Sequence, residues 1–151
     1  MAAIEVDTAT ALAYRLSSYA FSPTVAAVME YVPDHEGTDL SDLKVSVVPG
    51  TVEVTQVARG SDLHEFQIHV VMAKRLANDA EIATLAGLRS SVADKIRSGV
   101  LPVTGPAMPT GVQYISLAVN TTYDRNSLTN MRTFLSEIAV TYRANLAKDA
   151  T

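Results

Sequence analysis

Residues 63–75 read Leu-His-Glu-Phe-Gln-Ile-His-Val-Val-Met-Ala-Lys-Arg, and this stretch decides the fold class. Phe66, Ile68, Val70 and Met72 occupy every second position, with mostly polar residues between them. Side chains two residues apart lie on the same face of a β-strand. The pattern therefore predicts a strand with one buried face, and a second layer must cover that face.

A first amphipathic helix is predicted near the N-terminus. Asp7 can accept hydrogen bonds from the free amides of a first turn, and Leu12 and Leu16 follow at helical spacing. Pro23 ends the helix, because the residue before a proline is pushed out of the helical region. We expect this helix to span about 8–20.

A second, longer helix is predicted over about 79–98. Its apolar residues recur every three or four positions, which is typical of a helix with one buried side. Asn78 and Glu81 have the spacing of a capping box, and Gly99 suits a left-handed C-terminal cap. The apolar series is Ile82, Leu85, Leu88, Val92 and Ile96.

The other periodic segments predict strands. Residues 102–111 hold three prolines and two glycines, so they form a loop, and the tail from Asn145 is expected to fray. The element order predicts one α+β domain over 1–151, a mostly antiparallel sheet packed by two main helices. The further strands are 24–32, 44–48, 52–57, 114–120 and 131–144.

Alternation also assigns faces to the last two strands. Ile115, Leu117 and Val119 share one side of the first. Tyr31, Tyr114 and Tyr142 are each interpreted as core residues, and the alternative is a place at a sheet end or interface, where the ring is buried and the hydroxyl is wet. In the last strand the predicted buried series is Phe134, Ile138, Val140 and Tyr142, against Thr133, Glu137, Thr141 and Arg143 on the other side.

The composition excludes several classes of function. The chain has 151 residues, 12 Lys and Arg against 16 Asp and Glu, a net charge of −4 and no cysteine. This balance argues against a general nucleic-acid or anionic-membrane binder. Thiol catalysis, disulfides and thiolate zinc sites are excluded. With no signal-peptide pattern and no apolar run of about 20 residues, we expect the protein to remain in a cytoplasm.

The histidines and the acidic stretch 34–42 are the places where chemistry could lie. His64 and His69 are five residues apart on one strand, so they point to opposite faces and cannot share a metal. His35 lies in the acidic stretch, whose spacing does not match a calcium loop. No Gly-x-Ser-x-Gly turn and no phosphate-binding glycine loop occurs. We predict no catalytic residue, metal site or cofactor, and a protein that is not an enzyme.

Several segments, taken in order, resemble the small tail-completion, or tail-terminator, proteins of long-tailed bacteriophages. The resemblance covers about 40–145 and consists of hydrophobic patterns with a few fixed polar points. The segments are Leu43–Pro49, Phe66–Lys74, the helix with Leu85, Leu88 and Val92, and Phe134–Tyr142.

The resemblance implies a structural virion protein in the neck or tail, made in the bacterial host cytoplasm. Its members form a ring, typically a homo-hexamer, at the head-proximal end of the tail tube. The implied partners are further copies of the chain, the tail-tube protein and a head–tail connector or stopper protein. DNA passes through the lumen without specific binding, and neither cofactor nor membrane is involved.

Two loops are candidates to reach neighbouring subunits, the acidic stretch 34–42 and the proline-rich loop 102–111, because ring contacts need two different patches on each subunit. The candidate interface residues are Asp34, Glu36, Asp39, Arg59, Pro102, Met108, Pro109 and Arg125.

Two alternatives remain open. The nearer one is another neck or tail-tube subunit, although a tube subunit is usually richer in β-structure. The second is a small-molecule binding module or enzyme on a dimeric α+β sheet, which the fold class alone does not exclude. That alternative requires a concave pocket with converging polar groups around Glu65, His69 and Tyr142.

Overall fold

The structure, a computed structural model, describes residues 3–31, 42–103, 105–121 and 132–147. The described strands form one sheet in the order β1-β2-β3-β5-β4, in which only the β1–β2 pair is parallel. This architecture confirms the predicted α+β class. The elements are α1 (Ile4–Ser18), β1 (Ala27–Met29), β2 (Lys44–Ala58), β3 (Ser61–Arg75), α2 (Ala80–Ser98), β4 (Gln113–Thr121) and β5 (Thr133–Ala147).

Both helices pack on the same face of the sheet. Leu12 and Leu16 of α1 and Val92 of α2 belong to one core cluster with the buried side chains of β2, β3 and β5. Ile68 of β3 and Ile138 of β5 are fully buried in that cluster. Apolar burial of this kind is the main stabilising contribution to the fold.

The two strands β3 and β5 pair along their whole length and confirm the predicted faces. Their register joins Ser61 to Ala147 at one end and Arg75 to Thr133 at the other. The predicted buried series of both strands lies under the helices. Because β5 continues to Ala147, the prediction that the chain frays from Asn145 is wrong up to that residue. Residues 148–151 lie outside the described residues.

The predicted strands 44–48 and 52–57 are one strand, β2, and the prediction of a break between them is wrong. Pro49 still pairs with Ile68, and the register shifts in a β-bulge before Val52. Gly50 lies under the His69 ring, where an added Cβ would be 2.6 Å from Nε2. The Pro-Gly pair, which otherwise marks a turn, is therefore accommodated here in a β-bulge within a continuous strand.

The helix α1 begins four residues earlier than predicted. Its N-cap is Ala3, which makes no side-chain cap, and the Asp7 amide donates to the Ala3 carbonyl at 3.1 Å. The interpretation of Asp7 as the N-cap is therefore wrong. Ile4 is half-buried against the core cluster, and this packing extends the helix without a capping side chain.

The helix α2 confirms both of its predicted ends within one residue. Its N-cap is Asp79, which makes no side-chain cap, so the predicted capping box starting at Asn78 is wrong; the Glu81 carboxylate instead accepts a hydrogen bond from the Ala77 amide at 2.7 Å. At the other end Gly99 adopts φ 70° and donates its amide to the Ile96 carbonyl. This is the left-handed cap that the sequence predicts.

Two predictions at the sheet edges need correction. The strand β1 spans three residues instead of 24–32, and Tyr31 beyond it is 69% exposed instead of in the core. In β4 a register shift between Tyr114 and Ser116 leaves Ile115 out of the face it was assigned to. Leu117 and Tyr114 pack against the core as predicted, and only Ile115 leaves that face, because the extra residue reverses the alternation before Ser116.

Candidate assembly surfaces

Neither of the two described helices packs on the second face of the sheet. The register aligns Val48, His69, Ala139 and Ala118 across four strands on this side, which we call the bare face. Its smaller side chains are nonetheless buried, since Ser46, Ala73 and Ala139 are at most 5% exposed. A cleft of about 200 Å³ lies towards the hairpin end of this face, and its lining includes Glu53, Glu65, Gln67 and Thr141.

Charges on the bare face are largely paired within the sheet. Arg143 and Glu65 face each other across β3 and β5, with Nη2 and Oε2 3.3 Å apart. His69 Nδ1 lies 3.0 Å from Glu137 Oε1, although the ring nitrogen is not aligned for a hydrogen bond. Half-exposed pairs of this kind contribute at most about 1 kcal/mol to stability.

The long β2–β3 hairpin extends beyond the helices. We call residues 52–65 the hairpin tip, and 44–49 with 66–75 the hairpin base. In the tip, Val54 and Val57 are 55% and 54% exposed, whereas Val47 in the base is fully buried. Arg59, a predicted interface residue, lies exposed at the turn that joins the two strands. The tip therefore presents apolar side chains that the described part of the chain leaves uncovered.

The proline-rich segment folds back onto its own subunit. Gly105, at φ 70°, lies so close to the Tyr14 ring that an added Cβ would be 2.5 Å from Cδ1. Met108 is half-buried against the core cluster, and Pro102 and Pro109 are also half-buried. Each of these three predicted interface residues is thus partly buried in its own subunit and partly accessible to a neighbour.

The remaining predicted interface residues fall outside the described residues. These are Asp34, Glu36, Asp39 and Arg125. The acidic stretch 34–42 and the polar connection before β5 are affected in the same way, apart from Asp42. The prediction that these residues contact neighbours stays a prediction.

The alternative binding constellation does not converge in space. Tyr142 is buried in the core under the helices, opposite Phe66 in the register. Glu65 and His69 occupy the bare face, on the other side of the sheet. The expected pocket around these three side chains is therefore not formed.

A small cleft lies where α1, α2 and the proline-rich segment meet. Its volume is about 160 Å³, and the Tyr142 and Tyr114 rings form its floor near Arg15. The Arg15 Nε is buried without a hydrogen-bond partner. Burial raises the pKa of the Tyr142 phenol, although the nearby Arg15 charge opposes the shift. The described lining holds neither a carboxylate nor an imidazole, so it contains no acid–base pair.

Sequence reasoning missed the edges of the sheet and the cleft. Arg15 follows the apolar positions of an amphipathic helix and has no local signal that would bring it near Tyr142. Among the described residues, no group of three or more His, Asp or Glu side chains is placed to hold a metal ion. None of the described helices is long and apolar enough to span a membrane.

No family model and no curated protein matches the chain. Among solved structures, the chain is similar to one from a structure described as "Virion of native gene transfer agent (GTA) particle", at 17% identity and a TM-score of 0.47. The match covers 93% of this chain and 94% of that one. At this identity and TM-score the likeness assigns no function to the present chain.

Proposed function

We propose that this chain is a structural subunit of a phage-type virion, and within it the tail terminator. Copies form a ring, expected to be a hexamer, at the head-proximal end of the tail tube. The ring ends tube growth and provides the surface on which the head–tail connector or stopper docks. The proposed role involves no cofactor and no catalysis.

The observation that carries the proposal is the hairpin tip, where Val54 and Val57 are more than half exposed, next to a sheet face on which neither described helix packs. Exposed strands with apolar side chains are a hazard for a free monomer, and proteins keep them where a partner covers them. The sequence resemblance to tail-terminator proteins supports the same role. The two helices on one face weigh against a tube subunit.

The charge balance fits a ring through which DNA moves. Each subunit carries a net charge of −4, and this charge repeats around a ring of identical copies. A negative field repels phosphate groups, so DNA slides through the ring instead of adhering to it. The few basic side chains on the bare face include Arg143, which is paired with Glu65.

The experiment is a tube-growth assay. Purified tube protein of the same virion is polymerised with and without this chain, and tube lengths and the position of labelled chain are read by electron microscopy. A terminator shortens the tubes and is found at one end only. Decoration along the whole tube would indicate a tube role instead, and no binding to tubes would contradict the proposal.

A matched pair of variants sharpens this assay. Val54→Lys places a charge on the exposed hairpin tip, and Val103→Lys places the same charge in the proline-rich segment, where the residue is 76% exposed. Neither side chain is buried, so both variants should fold. We expect Val54→Lys to lose tube capping and Val103→Lys to retain it.

A further inference from the structure

The described sheet ends on two unpaired strand edges at its opposite sides. On one side, β1 pairs with only three residues of β2, 45–47, and the Glu30 amide adds a bond to the Val47 carbonyl. Beyond this point no described strand pairs with the outer edge of β2. On the other side, β4 has β5 along its inner edge and no described strand along its outer edge. Within the described ranges, each copy therefore offers two unpaired ladders of backbone donors and acceptors.

Between their bulges these two edges carry few charges and no proline, so short regular runs stay open to a partner strand. The nine residues of β4 include no charged side chain and no proline. The regular run of β2 between its two bulges, 52–56, carries only Glu53 as a charge. In β4 the regular run between register shifts is 116–119. The unpaired backbone amides and carbonyls of such an edge strand can pair with a strand of another chain.

The directions of the strands allow the two edges to meet in the favoured way. The pairs β2–β3, β3–β5 and β5–β4 are all antiparallel, so β4 runs opposite to β2. When a second copy is placed beside the first in the same orientation, its β2 lies antiparallel to β4 of the first. Residues 116–119 lie level with 47–50 across the sheet, so pairing with 52–56 also requires a shift along the strands of about five residues. Antiparallel pairing is slightly more stable per residue than parallel pairing.

We propose that copies of this chain associate head to tail through these edges, with residues 116–119 of one copy paired to 52–56 of the next. One type of contact then occupies both free edges of every copy and can close into a ring. A two-fold contact between two β4 edges would leave both β2 edges unpaired. The inference deepens the proposed function and rests on it for the ring, because it names the surfaces through which subunits meet.

Cysteine cross-linking tests the proposal directly, since the native chain contains no cysteine. Ser116→Cys and Ala118→Cys are made on β4, and Glu53→Cys and Thr55→Cys on β2. The register places all four on the bare face, so a continuous sheet brings them to the same side. Each β4 variant is co-expressed with each β2 variant, oxidised, and separated on a denaturing gel.

The expected result is covalent dimer from a β4 variant with a β2 variant, and none from any single variant alone. Ser116→Cys combined with Thr55→Cys in one chain should give a ladder that ends at the ring size. The control is Val54→Cys, one residue away on the helix side, which should not link to Ser116→Cys. Disulfides need Cβ atoms about 4 Å apart, so the pattern reports true strand neighbours.

Three results would overturn the inference: dimers of Ser116→Cys alone, no dimer in any mixture, or a native protein that stays monomeric at 10 mg/mL. The tube-growth assay judges the proposed function separately. A protein that caps tubes but gives none of the expected links keeps its proposed function and loses this inference. A protein that links as expected but ignores tubes keeps the edge contact and loses the terminator role.

Discussion

The hairpin base and the hairpin tip share one antiparallel ladder, and their side chains meet different surroundings. In the base, Val47 and Ile68 are fully buried beneath the helices. In the tip, Val54 and Val57 are more than half exposed, although Val54 lies on the same side of the sheet as the helices. Because apolar burial supports only the base, backbone pairing and the subunit's own core do not together explain the length of this hairpin. The base is stabilised by its own subunit, and we propose that the tip is stabilised by another.

The largest expected effect on stability is at Phe66, where the hairpin base adjoins the hairpin tip. Phe66→Ala should destabilise the fold by about 3–5 kcal/mol, because it leaves a cavity where a fully packed ring stood. The measurement is the free energy of unfolding in urea. A loss below about 1 kcal/mol would show that the helix-covered face is not the core.

A matched pair on one strand compares base and tip directly. Val47→Ala should cost about 2 kcal/mol, for the lost apolar burial and the cavity that remains. Val54→Ala should cost less than about 0.5 kcal/mol in the dissociated protein, because its side chain is exposed there. Equal losses at low protein concentration, measured by urea unfolding, would contradict the distinction.

Alkaline pH should also act on the covered side. Burial raises the pKa of Tyr142 above its usual value near 10, so the folded phenol stays neutral while the unfolded one ionises. The contribution of the neutral phenol to the free energy of unfolding is fully present below pH 10. Above pH 10 it falls by up to about 1.4 kcal/mol per pH unit. Tyr142→Phe should flatten this slope in a pH series of urea unfolding curves. An unchanged slope would mean that the ring is open to solvent.

The smallest effect concerns two glycines of the covering helix. Gly99→Ala should cost about 1 kcal/mol, because Gly99 has φ 70°, which alanine adopts only with strain. Gly87→Ala, inside α2 with open space around it, should instead stabilise by up to about 1 kcal/mol. Thermal melting of the pair checks the opposite signs, and a shared sign would contradict the assignment of the helix end.

The sequence was sufficient for those elements whose own side chains show a period. The alternation from Phe66 to Met72 predicted β3 and its buried face, and the spacing from Ile82 to Ile96 predicted α2. Bulges could not be predicted in this way. A Pro-Gly pair normally marks a turn, yet the residues around Pro49 and Gly50 stay extended, since His69 packs over the glycine.

Sites made by distant segments were also beyond the reach of local patterns. The sequence pattern predicts a strand at both Val47 and Val54. Only the position of the helices decides which of the two side chains is covered. Arg15 and Tyr142 are 127 positions apart in the chain and meet in the cleft through tertiary packing alone. The unpaired outer edge of β4 likewise depends on strand order, which no single segment encodes.

The native mass of the protein in solution is the direct test of whether its copies form a ring. Light scattering behind a sizing column, over a range of concentrations, should show a particle near six times 16.1 kDa in equilibrium with the monomer. Substituting Val54 by Lys should shift this equilibrium to monomer, and Val103→Lys should leave it unchanged. A stable dimer that is insensitive to both substitutions would contradict a ring built through the hairpin tip and the strand edges.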